Sequence, residues 1–327
     1  MSSRREFITL IGGAAAWPLA ARAQQQAIPL IGFLSSASPA TWTPLVTGFQ
    51  KGLQEAGFVD GRNATIEYRW AEGQYDRLPN LVIDLIDRKS ALIFAAGGSD
   101  PAKAAKAATT TIPIVFASGT DPVKAGLVAS LNRPGGNVTG VSVLGAALET
   151  KRLGLLNEIA PGSRSIGVLL NPKYSAADLQ LSELQEAQAG INREIQIVRA
   201  STEAEIDTAL ATIARQGAGA LLVAEDPFFG SRRQQLVTLA AHHKLPAIYY
   251  QRDFAKAGGL VSYGTDFAYA FRQAGIYAGR ILKGTNPADL PVLQPIKFDL
   301  VINLNTARTL GLEIPPMLLA RADEVIE

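Results

Sequence analysis

The sequence predicts an α/β protein made of two doubly wound, parallel-sheet lobes of Rossmann-like type, joined by a three-segment hinge. Three observations support this fold class. The chain has 327 residues, 47% of them hydrophobic, which is enough apolar material for two cores. Short, continuous apolar runs alternate with amphipathic helical stretches, as expected for parallel sheets covered on both faces. The order of these segments in the first half of the chain then repeats in the second half.

The repeat can be followed from one element to the next. The buried strand Ile31–Ser35 in the first half corresponds to Ile166–Leu170 in the second half. The later pairs keep the same order of helix and strand: Leu45–Ala56 with Asp178–Ala189, Ala64–Tyr68 with Glu194–Val198, Tyr75–Arg88 with Glu203–Arg215, Ala91–Ala95 with Ala220–Ala224, Ile112–Phe116 with Leu245–Tyr249, and Val138–Val143 with Gly259–Tyr263. Gly57 and Gly190 follow the first helix of each half and suit the left-handed position that ends a helix.

The same pattern divides the chain into lobes and connections. We expect residues 26–148 to form the first lobe and residues 149–290 the second, with residues 149–160 as a crossover helix. Residues 291–327 are expected to return across the hinge as extended chain. Three crossings between the lobes are what a closing hinge requires, because a few residues must absorb the rotation.

Residues 1–25 have the features of an export signal. Arg4 and Arg5 precede the apolar run Thr9–Leu19, and Ala21 and Ala23 supply the small residues of a cleavage site. The paired arginines are typical of a twin-arginine signal. Cleavage after Ala23 would leave a soluble periplasmic protein, and a chain without cysteine cannot carry a lipid anchor there. The alternative is a disordered basic terminus of chance hydrophobicity.

Composition argues against several classes of function. The net charge is +2 and the basic residues are scattered, so nucleic acid is not an expected partner. The absence of cysteine excludes disulfides, thiol catalysis and cysteine-ligated zinc. His242 and His243 are the only histidines, and they lie near the end of a predicted helix. The sequence contains neither a phosphate-binding glycine loop nor a nucleophile elbow. We therefore expect no cofactor, no metal and no catalytic residue.

Two long motifs carry a family resemblance. The runs Thr120–Val128 and Arg133–Ser142 resemble the signature of ABC transporter substrate-binding proteins of the tryptophan/tyrosine-type branch. The resemblance implies the type I periplasmic binding protein fold and reversible capture of an amino acid, aromatic or other. It also implies delivery to an ABC permease by a protein that acts as a monomer. Glu225 and Asp226 stand where relatives commonly carry a Thr-Asp-Asn-like turn.

The ends of the predicted strands define a candidate binding site, because ligands of open parallel sheets bind beyond the carboxyl ends of the strands. The first lobe contributes small and hydroxyl-bearing residues: Ser35, Ser36, Gly97, Gly98, Ser99, Ser118, Thr120, Asp121 and Ser142. The second lobe contributes amides, acids, a hydroxyl and aromatic residues: Asn171, Tyr174, Ser175, Glu225, Asp226, Phe228, Tyr250, Gln251, Tyr263 and Asp266. This combination suits a zwitterion, whose carboxylate would meet backbone N–H groups and whose ammonium group would meet an acid.

Each candidate has a structural alternative. Gly97 and Gly98 suit an ordinary turn, Asp121 and Asp226 can cap helices, and the aromatic residues can belong to the core. Two other functions also stay open at this point. The protein could be a periplasmic sensor that presents its ligand to a receptor, or an exported enzyme. Fold alone does not separate these functions from transport.

Overall fold

The computed structural model of the chain describes residues 28–143, 148–191, 193–294 and 298–327. The predicted export signal, residues 1–25, lies outside these described ranges. Within them, no helix combines the length and the apolar character needed to cross a membrane.

The first sheet contains five parallel strands. They are β1 (Leu30–Ser35), β2 (Thr65–Trp70), β3 (Leu92–Ala96), β4 (Ile114–Ser118) and β5 (Val138–Ser142), in the order β2-β1-β3-β4-β5. The connecting helices are α1 (Thr43–Glu55), α2 (Leu78–Asp87) and α3 (Asp100–Ala108). The central strands are apolar on both faces because α1 covers one face and α2 and α3 cover the other.

The second sheet contains seven strands. They are β6 (Ser165–Leu170), β7 (Glu194–Arg199), β8 (Ala220–Val223), β9 (Ala247–Tyr249), β10 (Val261–Thr265), β11 (Phe298–Asn303) and β12 (Glu324–Ile326), in the order β12-β11-β10-β9-β8-β6-β7. Only the β10–β11 pair is antiparallel. The helices are α4 (Glu149–Ile159), α5 (Ala177–Ile191), α6 (Glu203–Arg215), α7 (Pro227–Ser231), α8 (Arg233–His242), α9 (Arg252–Lys256), α10 (Phe267–Leu282), α11 (Leu304–Thr309) and α12 (Pro316–Leu319). Two parallel-sheet lobes confirm the predicted fold class.

Helix α10 packs on the first lobe, although it follows the second lobe's strand β10 in the chain. Its contact with α1 is close because glycines face each other: a Cβ atom on Gly52 would lie 1.9 Å from the carbonyl oxygen of Arg272, and one on Gly275 would lie 2.2 Å from that of Phe49. Leu293 then pairs with strand β5. Residues 267–294 therefore lie in the first lobe, which differs from the predicted second lobe of residues 149–290. An apolar helix face does not reveal in sequence which sheet it covers.

In the described ranges, strand β5 of the first lobe precedes helix α4 of the second, strand β10 of the second precedes helix α10 of the first, and Leu293 of the first precedes strand β11 of the second. The described chain therefore changes lobe three times. The hydroxyl of Thr265 donates a hydrogen bond of 2.8 Å to the carbonyl oxygen of Val143, so two of these crossings are tied together. After the third crossing the chain adds β11 and β12 to the second sheet, whereas we expected an extended return.

The two glycines predicted to end helices behave differently. Gly57 follows α1 with a φ of +91°, the left-handed conformation expected of a residue that stops a helix. Gly190 lies inside α5, which continues to Ile191, so that prediction is wrong. Gly190 is exposed, and a Cβ atom at this position would meet nothing within 4 Å. No close contact therefore forces the chain out of the helix here.

A candidate ligand-binding site between the lobes

The carboxyl ends of the two sheets face each other across a small cavity of about 30 Å³. This is room for about two water molecules. Residues of both lobes line it: Trp42, Leu45, Gly97, Gly98, Ala117, Gly119, Glu225, Pro227, Gly230, Tyr250, Gln251, Phe267 and Phe271. The wall is mainly aromatic and aliphatic, and Glu225 and Gln251 supply its polar side chains. An amino acid needs more space than this, so its entry requires the lobes to separate.

Five of the residues predicted from strand ends line the cavity: Gly97, Gly98, Glu225, Tyr250 and Gln251. Gly97 and Gly98 both have a φ of +87°, a conformation that few residues other than glycine adopt. Gly98 also faces the other lobe, because a Cβ atom there would lie 2.7 Å from Cε2 of Tyr174. Turn geometry and close approach thus both require glycine at this position.

The hydroxyl residues of the first lobe hold its loops together and do not line the cavity. Ser36 donates a hydrogen bond to the carbonyl oxygen of Gly97. The hydroxyls of Ser118 and Thr120 lie 2.9 Å apart, and Ser142 donates to the carbonyl oxygen of Thr120 at 3.2 Å. Two further first-lobe candidates cap local turns: Ser35 accepts from the N–H of Ala37, and Asp121 accepts from the N–H groups of Val123 and Lys124.

Several predicted residues make contacts across the cleft. The hydroxyls of Ser99 and Ser175 are hydrogen bonded at 2.9 Å, and the ring of Phe228 lies against Gly73 of the first lobe. Tyr174 is buried, and its ring lies 6.4 Å from that of Tyr75. These contacts place the lobes in a closed arrangement.

Two predicted residues lie away from the cavity. The ring of Tyr263 packs on the core side of the second sheet, 6.1 Å from the ring of Phe298. Asp266 accepts a hydrogen bond of 3.0 Å from the N–H of Tyr269 and caps helix α10. Tyr263 lies within strand β10 and Asp266 follows its end, but neither side chain lines the cavity.

Both carboxyl oxygens of Asp226 accept hydrogen bonds. Its Oδ2 atom accepts from the hydroxyl of Tyr75 at 2.7 Å and from Nδ2 of Asn171 at 3.2 Å. Its Oδ1 atom accepts from the N–H of Phe229 at 3.1 Å, which makes Asp226 the cap of helix α7. The capping alternative considered for Asp226 is therefore what the structure contains. Burial raises the pKa of Asp226 to about 6, even though these donors favour the charged form.

Glu225 belongs to a buried ionic cluster with Glu149 and Arg152. A guanidinium nitrogen of Arg152 lies 3.1 Å from Oε1 of Glu149, and the other lies 3.8 Å from Oε2 of Glu225. Gln180 donates to Oε1 of Glu149 at 3.3 Å and to the backbone carbonyl of Glu225 at 2.8 Å. Oε2 of Glu225 is buried and accepts no hydrogen bond, although the side chain lines the cavity. The cluster holds two carboxyl groups and one guanidinium group.

The surroundings of Glu225 disfavour its charged form. Burial is the largest cause, and the carboxyl groups of Glu149 and Asp226 act in the same direction. Arg152 opposes this shift, but the pKa of Glu225 still rises to about 7. A cation placed beside Glu225 would favour ionisation and offset the cost of burying the charge.

Arg152 and the apolar wall were not identified from the sequence. Arg152 lies on α4, which was treated only as a crossover helix, and a charged residue on a helix usually faces solvent. Trp42 immediately precedes α1, and Phe271 lies one turn after the start of α10. A weak signal existed at residues 267 and 271, whose phenylalanines are one helical turn apart.

Two doubly wound lobes that close on a cavity at their strand ends define a solute-binding protein of the type I periplasmic binding fold. The chain belongs to the family of ABC transporter substrate binding proteins, whose model matches residues 32–326. Among its relatives is a tyrosine-binding protein of Clostridioides difficile (strain R20291), which is 30% identical over 266 residues, or 81% of this chain and 76% of the relative. The predicted resemblance is confirmed.

Two solved structures of binding proteins are similar to this chain to different degrees. The chain is similar to a Streptococcus pneumoniae ABC domain in complex with L-Trp, with 26% identity, a TM-score of 0.80 and coverage of 90% of this chain and 100% of that one. It is also similar to the ligand-free, open structure of a substrate binding protein with adhesive properties from Clostridium difficile, with 26% identity, a TM-score of 0.62 and coverage of 92% and 99%. Since the two sequence identities are equal, the higher TM-score means that the overall structure is more similar to the L-Trp complex than to the ligand-free, open protein.

Proposed function

We propose that the protein reversibly binds an aromatic amino acid between its lobes and delivers it to an ABC permease. The observation that carries this proposal is Glu225, whose side chain lines the cavity and whose buried Oε2 atom accepts no hydrogen bond. A buried carboxylate without a donor is costly, and an ammonium group would supply both the charge and the hydrogen bonds. The same cavity offers aromatic surface for a side chain.

The excess of negative charge in the cluster favours a cationic group on the ligand. With Glu149 and Glu225 ionised, Arg152 balances only one of them. The ammonium group of an amino acid would balance the other. We place the ligand's carboxylate at the turn of Gly97 and Gly98, where helix α3 begins and backbone N–H groups favour an anion.

The aromatic wall determines the class of side chain that we propose. Trp42 and Phe271 pack with their rings at 71° and a centroid distance of 5.5 Å, and the rings of Tyr250 and Phe267, which also line the cavity, lie 6.5 Å apart. Such edge-to-face arrangements accommodate a further aromatic ring favourably. The tyrosine-binding relative and the L-Trp complex are consistent with this class.

Calorimetric titration with matched ligands tests the ammonium contact. L-Tryptophan and L-tyrosine should bind, whereas 3-(4-hydroxyphenyl)propionate, which lacks the amino group, should bind at least tenfold more weakly. Glu225→Gln should lower amino-acid affinity by about ten- to a hundredfold, the effect of losing a hydrogen bond to a charged group. Binding of the desamino compound as tightly as L-tyrosine would refute the proposed role of Glu225.

Glu158→Gln provides the control for the same chemical change. Glu158 also lies on the second lobe, but it is exposed and pairs with Arg321 at 3.4 Å on the surface. This variant should keep the affinity of the unchanged protein. Equal losses in both variants would show that Glu225 acts through general electrostatics and not by contact.

The proposal includes export of the protein to the periplasm, where such a carrier meets its permease. Arg4 and Arg5, the apolar run and the small residues before Gln24 support it. Amino-terminal sequencing of the secreted protein should begin at Gln24. Co-purification with a membrane permease, dependent on ligand, would test delivery.

A further inference from the structure

Adjacent acids at the end of strand β8 face different partners. Glu225 lines the cavity, while Asp226 accepts a hydrogen bond from Tyr75, which belongs to the opposite lobe. The Tyr75–Asp226 distance is 2.7 Å, and Asp226 is only 1% exposed. One residue thus faces the site of the ligand and its neighbour faces the other lobe.

The Tyr75–Asp226 contact differs from the other described hydrogen bonds across the cleft. The neutral hydroxyls of Ser99 and Ser175 are hydrogen bonded to each other at 2.9 Å, and the N–H of Ser38 donates to the hydroxyl of Ser231 at 3.2 Å. Among the hydrogen bonds of the described residues, the one from Tyr75 crosses the cleft to a carboxyl group. Hydrogen bonds to charged groups are about twice as strong as neutral ones.

Asp226 is held in place by its own lobe. Asn171 and the N–H of Phe229 donate to it from the second lobe, so it keeps its position when the lobes separate. Its backbone carbonyl also accepts from the hydroxyl of Tyr250 at 2.7 Å. Opening therefore removes one donor, Tyr75, from an acceptor that is already oriented. This is the arrangement of a preorganised contact.

We propose that Tyr75 and Asp226 form a latch that holds the lobes closed over the ligand, and that Asp226 is a positioning residue that does not touch the ligand. The latch acts on the closed state alone, since the two residues meet only across the cleft. Ligand contact at Glu225 and lobe contact at Asp226 are coupled because the two residues are adjacent at the end of one strand.

Measurements of lobe separation test the latch. The chain has no cysteine, so Asp87→Cys on α2 and Gln185→Cys on α5 allow one spin label on each lobe at exposed positions. Tyr75→Phe should shift the distance distribution toward open forms, both without ligand and with saturating L-tryptophan. Its ligand dissociation rate should rise about tenfold while the association rate changes little.

Tyr68→Phe is the matched control. The hydroxyl of Tyr68 accepts from Nε2 of Gln50 at 3.1 Å within the first lobe, so its loss should leave the distances and dissociation rate unchanged. Asp226→Asn should give a smaller effect than Tyr75→Phe, because asparagine also caps helices and can accept from a tyrosine hydroxyl.

The outcomes separate this inference from the proposed function. Unchanged distances in Tyr75→Phe, or an equal shift in Tyr68→Phe, would overturn the latch. The binding readout rests on the proposed function, but the distances without ligand do not. Loss of closure in a protein that fails to bind L-tryptophan would support the latch and reject the proposed ligand.

Discussion

At the scale of single residues, the chemistry of the site centres on a buried carboxyl group whose ionised form is energetically unfavourable. Glu225 is buried beside two other acids, and among the described residues Arg152 offsets this environment. Such groups are common at functional sites because the charge of a binding partner can offset the desolvation penalty of the buried carboxylate. The cost itself is measurable as a dependence of stability on pH.

The free energy of unfolding should fall as pH rises from about 4.5 to about 7. In that window the carboxyl of Glu225, with an unperturbed pKa of 4.5, ionises in the unfolded chain but keeps its proton in the folded protein, where its pKa is about 7. Asp226, with a folded pKa of about 6, acts in the same direction. Each group contributes up to about 1.4 kcal/mol per pH unit. Urea denaturation between pH 4 and pH 8 measures this slope.

Glu225→Gln should flatten the slope, and Glu158→Gln should not. The affinity for an ammonium ligand should change in the opposite direction, rising with pH through about 7, because the ligand requires Glu225 to be ionised. Stability that stays level over this window in the unchanged protein would contradict the burial of an uncompensated carboxyl group.

Residue-level prediction succeeded where chain geometry fixes position. Gly97, Gly98, Glu225 and Tyr250 follow strands, and the ends of parallel strands meet at one edge, so their place beside the cavity follows from the fold. Whether a strand-end side chain points into the cavity depends on its hydrogen-bond partners, as Asp226 shows. Arg152 could not be predicted because its burial depends partly on the carboxyl group of Glu225 and the backbone carbonyl of Tyr263, which are distant in the sequence.

At the scale of elements, the helices and strands were largely predictable from the sequence, but the packing of α10 against α1 was not. The predicted helix Glu203–Arg215 has the same bounds in the structure. Helix α10 was also expected, yet its packing on α1 depends on glycines 52 and 275, which let two backbones approach. The spacing of apolar residues within one helix does not indicate which other helix or sheet that helix will pack against.

Two Gly→Ala changes, one in the α1–α10 contact and one within α5, should have opposite effects on stability. Gly52→Ala should destabilise the protein by about 1–3 kcal/mol or more, since its Cβ atom would lie 1.9 Å from the carbonyl oxygen of Arg272 and the helices must separate. Gly190→Ala should stabilise by about 0.5–1 kcal/mol, because it lies inside α5 with open space around it. Urea denaturation of both variants measures the difference, and equal effects would argue against close packing of α1 and α10.

At the scale of the whole molecule, the lobes are not continuous stretches of chain. Residues 30–142 contain all five strands of the first sheet, but the core of that lobe also includes Phe271, Ala274 and Leu290 from the later segment. The sequence repeat predicted two self-contained halves because it detects strand and helix order. It could not detect an additional helix that completes a neighbour's core.

A fragment of residues 26–148 should therefore fail to unfold cooperatively, although it holds every strand of the first sheet. Joining residues 267–294 to that fragment through a flexible Gly/Ser linker should restore a cooperative transition, because α10 would cover the apolar face of α1. Circular dichroism during urea titration distinguishes the two. A cooperative transition in the shorter fragment would show that α10 is dispensable.

The return of the chain to its first lobe has a consequence for biosynthesis. A ribosome must translate past residue 294 before the segment that completes the amino-terminal lobe leaves the exit tunnel. By then the second lobe's first five strands have already emerged. In many multidomain proteins the amino-terminal domain folds before the next domain has been synthesised. This polypeptide cannot complete the fold of its first lobe in that order. Both halves must reach their final state nearly together, after most of the message has been read.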